Sequence, residues 1–357
     1  MGGLRALQGV LALCALVAAP VEVEAQLELR SSDATVRLGG QLDMHYISPS
    51  PESAPETFRV RRVWFVAQAS YTDFLYGQVV YDFRTGGGVL LDAFARMNFD
   101  PAFRLSFGRF KRSFDIFLLN PIGDIPFLER AGGVPGYQEC SGVGSVCSYG
   151  RLSERLLFSN RDTGIRADGT IGSFGYSASL TNGTLVGAVD GNDAKSLATR
   201  IHWNLREGVQ FGFNATRKDY LNPSDETEYA VAWGPDLTIG SWRSGLHVQA
   251  GYLHGENWLS YSTTTGAEGP GTFQTGQLQA TYFFGVERGR IEGIEPLFRL
   301  SVTDPDDSLA DDGGVLVTPG LALYFLGRNR IALNLDHYRP ATGEGVFALR
   351  AGVLLYY

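Results

Sequence analysis

The chain has few lysines, few cysteines and no long apolar segment beyond its start. Of its 30 basic residues only Lys111, Lys195 and Lys218 are lysines, and it has three cysteines. After residue 25 there is no run of about 18 apolar residues, which excludes a membrane-spanning helix from that part of the sequence. The net charge of −8 argues against general nucleic-acid binding, and we expect no nucleic-acid partner.

The N-terminus has the layout of an export signal. A short basic start, Met1–Arg5, precedes the mostly apolar stretch Ala6–Pro20, which is too short to span a bilayer as a helix. Val23–Ala25 followed by glutamine fits a cleavage site. We therefore predict a signal peptide over residues 1–25 and a mature chain over 26–357; the alternative is a buried N-terminal helix. Cleavage would leave 29 basic and 36 acidic residues, a net charge of −7.

Two cysteines remain after this cleavage, Cys140 and Cys147. One close pair in an exported chain predicts a disulfide that closes a small loop. The alternative, half of a metal site, lacks histidine or cysteine neighbours. The acidic stretch Asp304–Asp312 could bind calcium, but it lacks the spacing of a calcium loop and favours a solvated external loop. We expect no metal and no cofactor.

Glycine, aromatic residues and a two-residue alternation are abundant. The chain has 45 Gly, 22 Phe and 16 Tyr, with a mean hydropathy of −0.05. From Thr35 onward, apolar and polar residues alternate in segments of about ten residues, separated by connections that are alternately short and long. This pattern predicts an all-β fold: a transmembrane antiparallel up-and-down β-barrel of about sixteen strands.

The alternation also assigns side chains to the two faces of the wall. In Val89–Asp100 it places Leu91 outward and Asp92 inward. In the preceding arginine-rich strand, Arg59 and Arg61 share one face and Arg62 lies on the other. A bare arginine on the lipid face costs about 2–4 kcal/mol at mid-membrane. We therefore predict a β-bulge at this point, or a position at the membrane rim.

The stretch Ser113–Glu154 interrupts the alternation with three prolines and several glycines. A connection of this length is usually functional or disordered. Its apolar content argues against disorder and predicts that residues 113–154 fold into the barrel lumen as a constriction loop. We expect the next strand to run over Arg155–Ala167.

Four motifs give the segment from residue 56 to residue 130 a family resemblance. RVRRVWF at 59–65, YDFRTGGGVLLDAF at 81–94, GRFKRSF at 108–114 and FLER at 127–130 resemble, in order and spacing, the phosphate-selective porin O and P family of Gram-negative outer membranes. The resemblance implies a homotrimer of sixteen-stranded barrels, a long loop folded into each lumen, and passive anion diffusion.

The candidate pore and anion-binding residues come from this resemblance and from the cationic cluster around it. By position, six of them match the charged constriction of the family, and Arg109 belongs to the same cluster. The candidates are Arg59, Arg61, Arg62, Asp92, Arg109, Lys111 and Arg130. The alternative is that these arginines form solvated ion pairs with nearby aspartates such as Asp73, Asp82, Asp92 and Asp115.

The sequence therefore predicts an outer-membrane porin that passes small anions, phosphate or polyphosphate among them, and other small hydrophilic solutes. Its expected partners are outer-membrane lipid, small anions and two further copies of itself. The family's anion specialists carry many lysines near the pore mouths, so a general, non-selective porin stays open. An adhesin or receptor barrel and a soluble secreted β-protein also stay open. No nucleophile elbow or phosphate-binding loop is present, and Ser153 and Ser159 lack a histidine partner, so we expect no enzyme.

Overall fold

The structure is a computed structural model that describes residues 27–84, 87–138, 140, 146–184, 190–263 and 269–357. The predicted signal peptide lies outside the described residues. Within the described part of the chain, no helix is both long enough and apolar enough to cross a membrane.

One antiparallel sheet contains eighteen strands in the described chain. The strands are β1 Leu27–Arg30, β2 Ala34–Pro49, β3 Thr57–Tyr71, β4 Leu75–Asp82, β5 Val89–Asp100, β6 Phe103–Lys111, β7 Arg161–Ile171, β8 Phe174–Thr181, β9 Ser196–Arg206, β10 Val209–Leu221, β11 Thr227–Ile239, β12 Leu246–Asn257, β13 Gly271–Tyr282, β14 Phe284–Arg288, β15 Ile291–Asp304, β16 Gly314–Tyr324, β17 Arg330–Pro340 and β18 Val346–Tyr356. The described parts of the connections contain three short α-helices, α1 Ile116–Leu119, α2 Tyr149–Arg155 and α3 Trp258–Thr263, and a 3-10 helix, Ile122–Asp124.

The sheet closes into a barrel of sixteen strands. From β2 onward each strand pairs with the next strand in sequence, except that β13 and β14 both pair with β15; β18 pairs with β2, where Arg350 lies opposite Ile47. Strand β14 continues β13 after Phe283, and β1 forms a short hairpin with β2. Neither is therefore counted as a separate strand of the barrel. The predicted fold class and strand number are confirmed. Closure leaves the barrel strands without a free edge, as a membrane-spanning sheet requires.

The outer surface carries an apolar belt. Along β9, Leu197, Ile201 and Trp203 are 45%, 58% and 44% exposed, whereas the alternate residues Ala198 and Arg200 are buried inside. Large apolar side chains are exposed in the same way around the wall, among them Phe65, Val79, Phe107, Ile165, Leu180, Phe213, Val231, Leu278, Phe298, Leu321 and Leu333. Exposure of such a surface to water is unfavourable, and an outward-facing apolar belt of this kind is typical of β-barrels that span a membrane.

A β-bulge in β3 brings three arginines to the lumen. The pairing with β2 passes from Asp43 opposite Arg62 directly to Met44 opposite Val60, so Arg61 is the extra residue. The predicted bulge is confirmed. Because one residue is inserted, Arg59 and Arg62 lie on the same side of the wall although their sequence spacing is odd.

A second bulge lies in β5. Val80 pairs with Asp92, and the next residue Tyr81 pairs with Leu90, so Leu91 is the inserted residue. Leu91 is 6% exposed, while Leu90 is 42% exposed on the outside. The prediction that Leu91 faces outward was wrong, because strict alternation does not reveal where a residue is inserted.

The long connection between β6 and β7 spans residues 112–160, beyond the predicted 113–154. Helix α2 begins after Ser148, whose Oγ accepts the backbone N–H three residues later, and it ends at Arg155. The strand predicted to start at Arg155 therefore starts at Arg161. The apolar residues between them, such as the fully buried Phe158, pack inside the loop, so their spacing imitates a strand.

The face assignment predicts how arginine is tolerated at the middle of β9. We expect Ile201→Arg to destabilise the barrel by about 2–4 kcal/mol, because its side chain lies on the lipid-facing surface near the strand centre. His202→Arg, one residue away at the same depth, points into the lumen and should cost clearly less. Reversible denaturant unfolding in lipid vesicles measures both; equal costs would contradict the face assignment.

Candidate pore constriction

The loop between β6 and β7 is folded into the lumen. The Leu128 N–H donates to Asn334 Oδ1 of β17 at 2.8 Å, and Leu128 is fully buried. The Gly133 N–H donates to Asp336 Oδ2 at 3.3 Å, and its carbonyl accepts from Arg350 Nη2 of β18 at 2.6 Å. These partners all project inward from the wall, so the predicted inward fold of the loop is confirmed.

Buried wall arginines hold the loop by its backbone. Arg299 of β15 donates from Nη1 to the carbonyls of Glu129 and Arg130 at 3.0 and 2.8 Å. Arg330 of β17 donates from Nη2 to the Ile125 carbonyl at 2.5 Å, and both arginines are less than 2% exposed. Hydrogen bonds from charged donors contribute about 1.5–3 kcal/mol each and satisfy carbonyls that would otherwise be buried without a partner. Sequence reasoning did not identify these anchors.

The two ends of the loop have anchors of their own. The Asp115 N–H donates to Asn214 Oδ1 of β10 at 3.0 Å, and Asn120 Nδ2 donates to Gln249 Oε1 of β12 at 3.0 Å. Near its C-terminal end, the Leu156 carbonyl accepts from the Trp258 indole at 2.9 Å. The loop is thus hydrogen-bonded to the wall at β8 and at several strands from β10 to β18, and a cavity remains on the side of β3, β4 and β5.

Glu129 is the negative centre of the predicted arginine cluster. Its carboxylate lies 2.6 Å from Arg61 Nε, 3.0 Å from Arg59 Nη2 and 3.3 Å from Arg62 Nη2. Burial raises the pKa of Glu129, but the positive charges of Arg61, Arg62 and Arg350 outweigh burial and hold that pKa well below its usual range. One ionised carboxylate therefore faces three guanidinium groups.

Asp92 and Arg109 meet at a residue outside the predicted set. Asp92 binds Arg161 through two hydrogen bonds, from Nε at 2.9 Å and from Nη2 at 3.1 Å. Arg109 donates to the Arg161 carbonyl at 3.3 Å. Arg161 was not among the predicted pore residues, because the predicted strand began at Arg155 and placed Arg161 in its interior. In the structure Arg161 is the first residue of β7 and lies at the edge of the lumen.

Lys111 and Arg130 bind backbone carbonyls at the end of α1. Lys111 Nζ donates to the carbonyls of Leu119 and Asn120 at 3.2 and 2.8 Å. Arg130 Nη2 donates to the same Asn120 carbonyl at 2.8 Å, and its Nη1 donates to the Phe117 carbonyl. Burial lowers the pKa of Arg130 to about 9. Both cations complement the exposed carbonyls of a helix C-terminus, and they position the loop.

A cavity of about 320 Å³ lies between the loop and the wall formed by β3, β4, β5 and β7. Trp64 and Leu91 contribute apolar surface, and charged side chains dominate the rest. Six arginines face three carboxylates there: Arg61, Arg62, Arg84, Arg130, Arg151 and Arg161 against Asp82, Glu129 and Glu154. The lining therefore has a formal excess of three positive charges. We call this cavity the arginine passage.

The predicted residues divide between two roles around this passage. Arg61, Arg62 and Arg130 line it. The other four do not line the cavity itself. Arg59 contacts the lining residue Glu129, and Asp92 and Arg109 contact the lining residue Arg161. Lys111 binds the carbonyls at the end of α1. Arg84, Arg151 and Arg161 line it without having been predicted; Arg84 was visible in the sequence as part of the same cationic cluster.

A second cavity, of about 640 Å³, lies on the other side of the loop near the short turns of β9–β12. Uncharged amides and hydroxyls supply most of its polar lining: Asn120, Asn204, Gln210, Thr238, Ser241 and Gln249. Arg206, Asp124 and Glu207 are its charged members. This lining shows none of the positive excess of the arginine passage.

Cys140 and Cys147 are joined by a disulfide whose Cα atoms are 5.2 Å apart, and both cysteines are buried in the loop. Across the ranges that the structure describes, no group of three or more His, Cys, Asp or Glu side chains is placed to hold a metal ion. In the acidic stretch near residue 306, Asp306 Oδ1 accepts from the Ser308 hydroxyl at 2.6 Å.

Three solved structures show the same architecture. The chain superposes on the trimer form of OmpT, an outer membrane protein of Vibrio cholerae, with a TM-score of 0.62 and 13% identity, covering 91% of this chain and 100% of that one. The anion-selective porin of Comamonas acidovorans gives 0.63 and 10%, with 91% and 100% covered. The outer membrane channel DcaP of Acinetobacter baumannii gives 0.58 and 13%, with 92% and 99% covered.

The barrel has the porin fold. At these identities the likeness establishes the fold and not the solute. No family model and no curated protein matches the sequence. The charge of the lumen depends on the residues of this chain, and the similarity of fold does not determine it.

Asp115 is a buried carboxylate where the loop leaves the wall. It has φ 69° and caps α1: Oδ1 accepts from the Phe117 N–H at 3.0 Å and from the Tyr149 hydroxyl at 3.2 Å. Burial raises its pKa to about 7, against these hydrogen bonds, which lower it. Asp115 therefore holds a proton in the folded loop over a pH range in which a solvated aspartate is ionised.

The raised pKa of Asp115 predicts that docking of the loop into the lumen depends on pH. Docking of the loop should be strongest below about pH 4 and should weaken as pH rises from about 4 to 7, because the undocked aspartate loses its proton first. Hydrogen exchange of the Ile116–Leu119 amides at several pH values measures this, after correction for intrinsic exchange rates. Asp115→Asn should abolish the dependence. Loop protection that is constant over this pH range would contradict the prediction.

Proposed function

We propose that this protein is an outer-membrane porin of a Gram-negative bacterium through which small anions diffuse passively. The observation that carries the proposal is the arginine passage, in which six guanidinium groups face three carboxylates. A narrow aqueous path with this excess attracts anions and repels cations, since charged rings set selectivity in pores.

Guanidinium chemistry suits this role. Arginine keeps its charge at any physiological pH and donates paired hydrogen bonds to oxyanions, which partly replace the hydration of the ion. Conduction also requires weak, multiple binding. Glu129, held at 2.6 Å by Arg61 Nε, competes with a passing anion for the same donors and so limits how tightly the anion is held.

Phosphate and polyphosphate are the solutes that the motif resemblance suggests. Their oxygens accept hydrogen bonds from guanidinium groups such as those that line the passage. At Arg61 and Arg161 they would compete with Glu129 and Asp92 for the same donors. The small number of lysines in the chain supports a moderate preference for anions over strict phosphate selection. The protein acts as a channel and not as an enzyme.

The assembly belongs to the same proposal. The chain is exported with cleavage of residues 1–25, inserts its apolar belt into outer-membrane lipid, and forms a homotrimer. Support comes from the porin fold and from the trimer form reported for the Vibrio cholerae protein.

General diffusion of neutral solutes is the second candidate. The 640 Å³ cavity with its amide and hydroxyl lining favours it, because uncharged hydrophilic solutes hydrogen-bond to such groups without electrostatic selection. In this alternative the arginine passage excludes cations but does not select among other small solutes.

Planar-bilayer recording of the purified protein tests the proposal. We expect stepwise conductance and, in a KCl gradient, a reversal potential that shows chloride preference. Added phosphate should reduce the chloride current, because phosphate binds the same arginines more strongly. Absence of conductance steps would contradict a porin, and cation preference would contradict the role of the arginine passage. Liposome swelling with neutral sugars measures the second candidate.

Charge removal within the passage should weaken chloride preference. The Arg151 Nε is buried without a hydrogen-bond partner in the described chain, and the Arg84 side chain is 40% exposed. We expect Arg84→Gln with Arg151→Gln to lower the chloride-to-potassium permeability ratio at least twofold. One charge at about 4 Å contributes about 1 kcal/mol in water, a factor of about five, and screening by salt reduces this. Reversal potentials in a KCl gradient measure the ratio.

Arg217→Gln is the matched control for that double variant. Arg217 lies on the exposed outer side of β10, with its guanidinium 3.5 Å from the centroid of the Tyr229 ring. Its removal takes away one positive charge from the lipid side, against two in the double variant, and should leave the permeability ratio unchanged. A ratio that falls equally in both proteins would indicate that net charge, and not the passage, sets the preference.

A further inference from the structure

The long-loop end of the barrel is strongly acidic. The described residues of five loops at this end, 50–56, 182–184 with 190–195, 222–226, 305–313 and 341–345, form what we call the acidic collar. Their acidic residues are Glu52, Glu56, Asp190, Asp193, Asp225, Glu226, Asp306, Asp307, Asp311, Asp312 and Glu344. The one basic residue in these five segments is Lys195, whose Nζ lies 2.9 Å from Asp190 Oδ2. The collar thus has a formal charge of −10.

The short-turn end has no net charge. The turns at 31–33, 72–74, 207–208, 240–245, 289–290 and 325–329 contain three acidic residues, Asp33, Asp73 and Glu207, and three basic ones, Arg243, Arg290 and Arg328. The turns at 101–102 and 172–173 contain no charge. The fixed charge therefore changes along the pore, from the negative collar to the arginine passage with its excess of three positive charges and then to a neutral short-turn end.

Several collar carboxylates face solvent, where they act on ions near the mouth. Glu52, Asp225, Asp311 and Glu344 are exposed. Asp312 is crowded: burial, together with the neighbouring Asp304 and Asp306, raises its pKa to about 7. Crowding of this kind indicates a dense negative field at the mouth.

From this order of charges we infer that the channel rectifies: it conducts better when the long-loop side is positive. The inference rests on the proposed function and deepens it. With that polarity, cations enter through the acidic collar and anions enter through the positive passage, so mobile ions accumulate in the pore. The reverse polarity draws each ion away from the charge that attracts it and depletes the pore.

The distance over which the collar and passage charges act on ions determines the salt concentration at which the channel rectifies. The Debye length is about 10 Å at 0.1 M salt and about 3 Å at 1 M. At the lower concentration the collar and the passage influence ions across the mouth, and at the higher one each charge is screened. We therefore expect conductance ratios between the two polarities of about 1.5 to 2 at 0.1 M KCl and near 1 at 1 M KCl.

Single-channel current–voltage curves test the inference when the orientation is known. Thr342→Cys, in the exposed loop between β17 and β18, marks the long-loop side, because a charged, impermeant thiol reagent changes the current only from that side. The collar variant combines Glu52→Gln, Asp225→Asn, Asp311→Asn and Glu344→Gln. All four positions are exposed, so the barrel should fold normally, which heat-modifiable migration checks.

The matched control removes charge at the opposite end. Asp73→Asn with Glu207→Gln makes the short-turn end more positive and should keep or increase the rectification, whereas the collar variant should reduce it at 0.1 M KCl. A symmetric curve for the unmodified channel, or a collar variant that rectifies as strongly as the unmodified channel, would overturn the inference.

The outcomes separate this inference from the proposed function. A channel with chloride preference and a symmetric curve leaves the porin proposal standing and overturns the rectification. Absence of steps, or cation preference in a KCl gradient, overturns the proposed function itself. Chloride preference with rectification that disappears in 1 M KCl supports both.

Discussion

Hydrogen bonds from buried wall arginines to loop carbonyls are the interaction on which the interior depends. A barrel wall satisfies its own backbone, but a long loop inside the lumen brings carbonyls that have no strand partner. Arg299, Arg330 and Arg350 supply charged donors for them at 2.5 to 3.0 Å. A charged donor in a buried site is itself costly to desolvate, and Asp336 offsets that cost by pairing with both Arg299 and Arg350. The loop is therefore held on one side of the lumen.

The position of the open path follows from this one-sided anchoring. Most of the loop anchors lie on β8 through β18, and in the cavity that remains beside β3 and β7 six guanidinium groups face three carboxylates. Glu129 extends from the anchored loop toward them, so the same segment that fills the lumen also sets the charge of its edge. Arginine thus has two physical roles in this chain. Buried wall arginines donate hydrogen bonds to loop carbonyls, and other arginines line the cavity and give it positive charge.

Most of the wall could be predicted from the sequence, because alternation is a local signal that repeats in every strand. The bulge at Arg61 was also predictable, since three arginines in four residues cannot share a lipid-free face otherwise. The bulge at Leu91 was not, because a leucine is acceptable on either face. Arg299 and Arg330 lie in ordinary alternating strands far along the chain from the loop. Nothing local marks them as its anchors, and only the closed barrel brings them to it.

The two bulges have a consequence for how such a pore can change during evolution. A substitution alters one side chain, but insertion or loss of a single residue at Arg61 or Leu91 moves a whole stretch of strand to the opposite face. Near a strand end that stretch is short, and the remainder of the membrane-facing surface is preserved. Length variation at these two points would therefore change which side chains face the lumen in one genetic step.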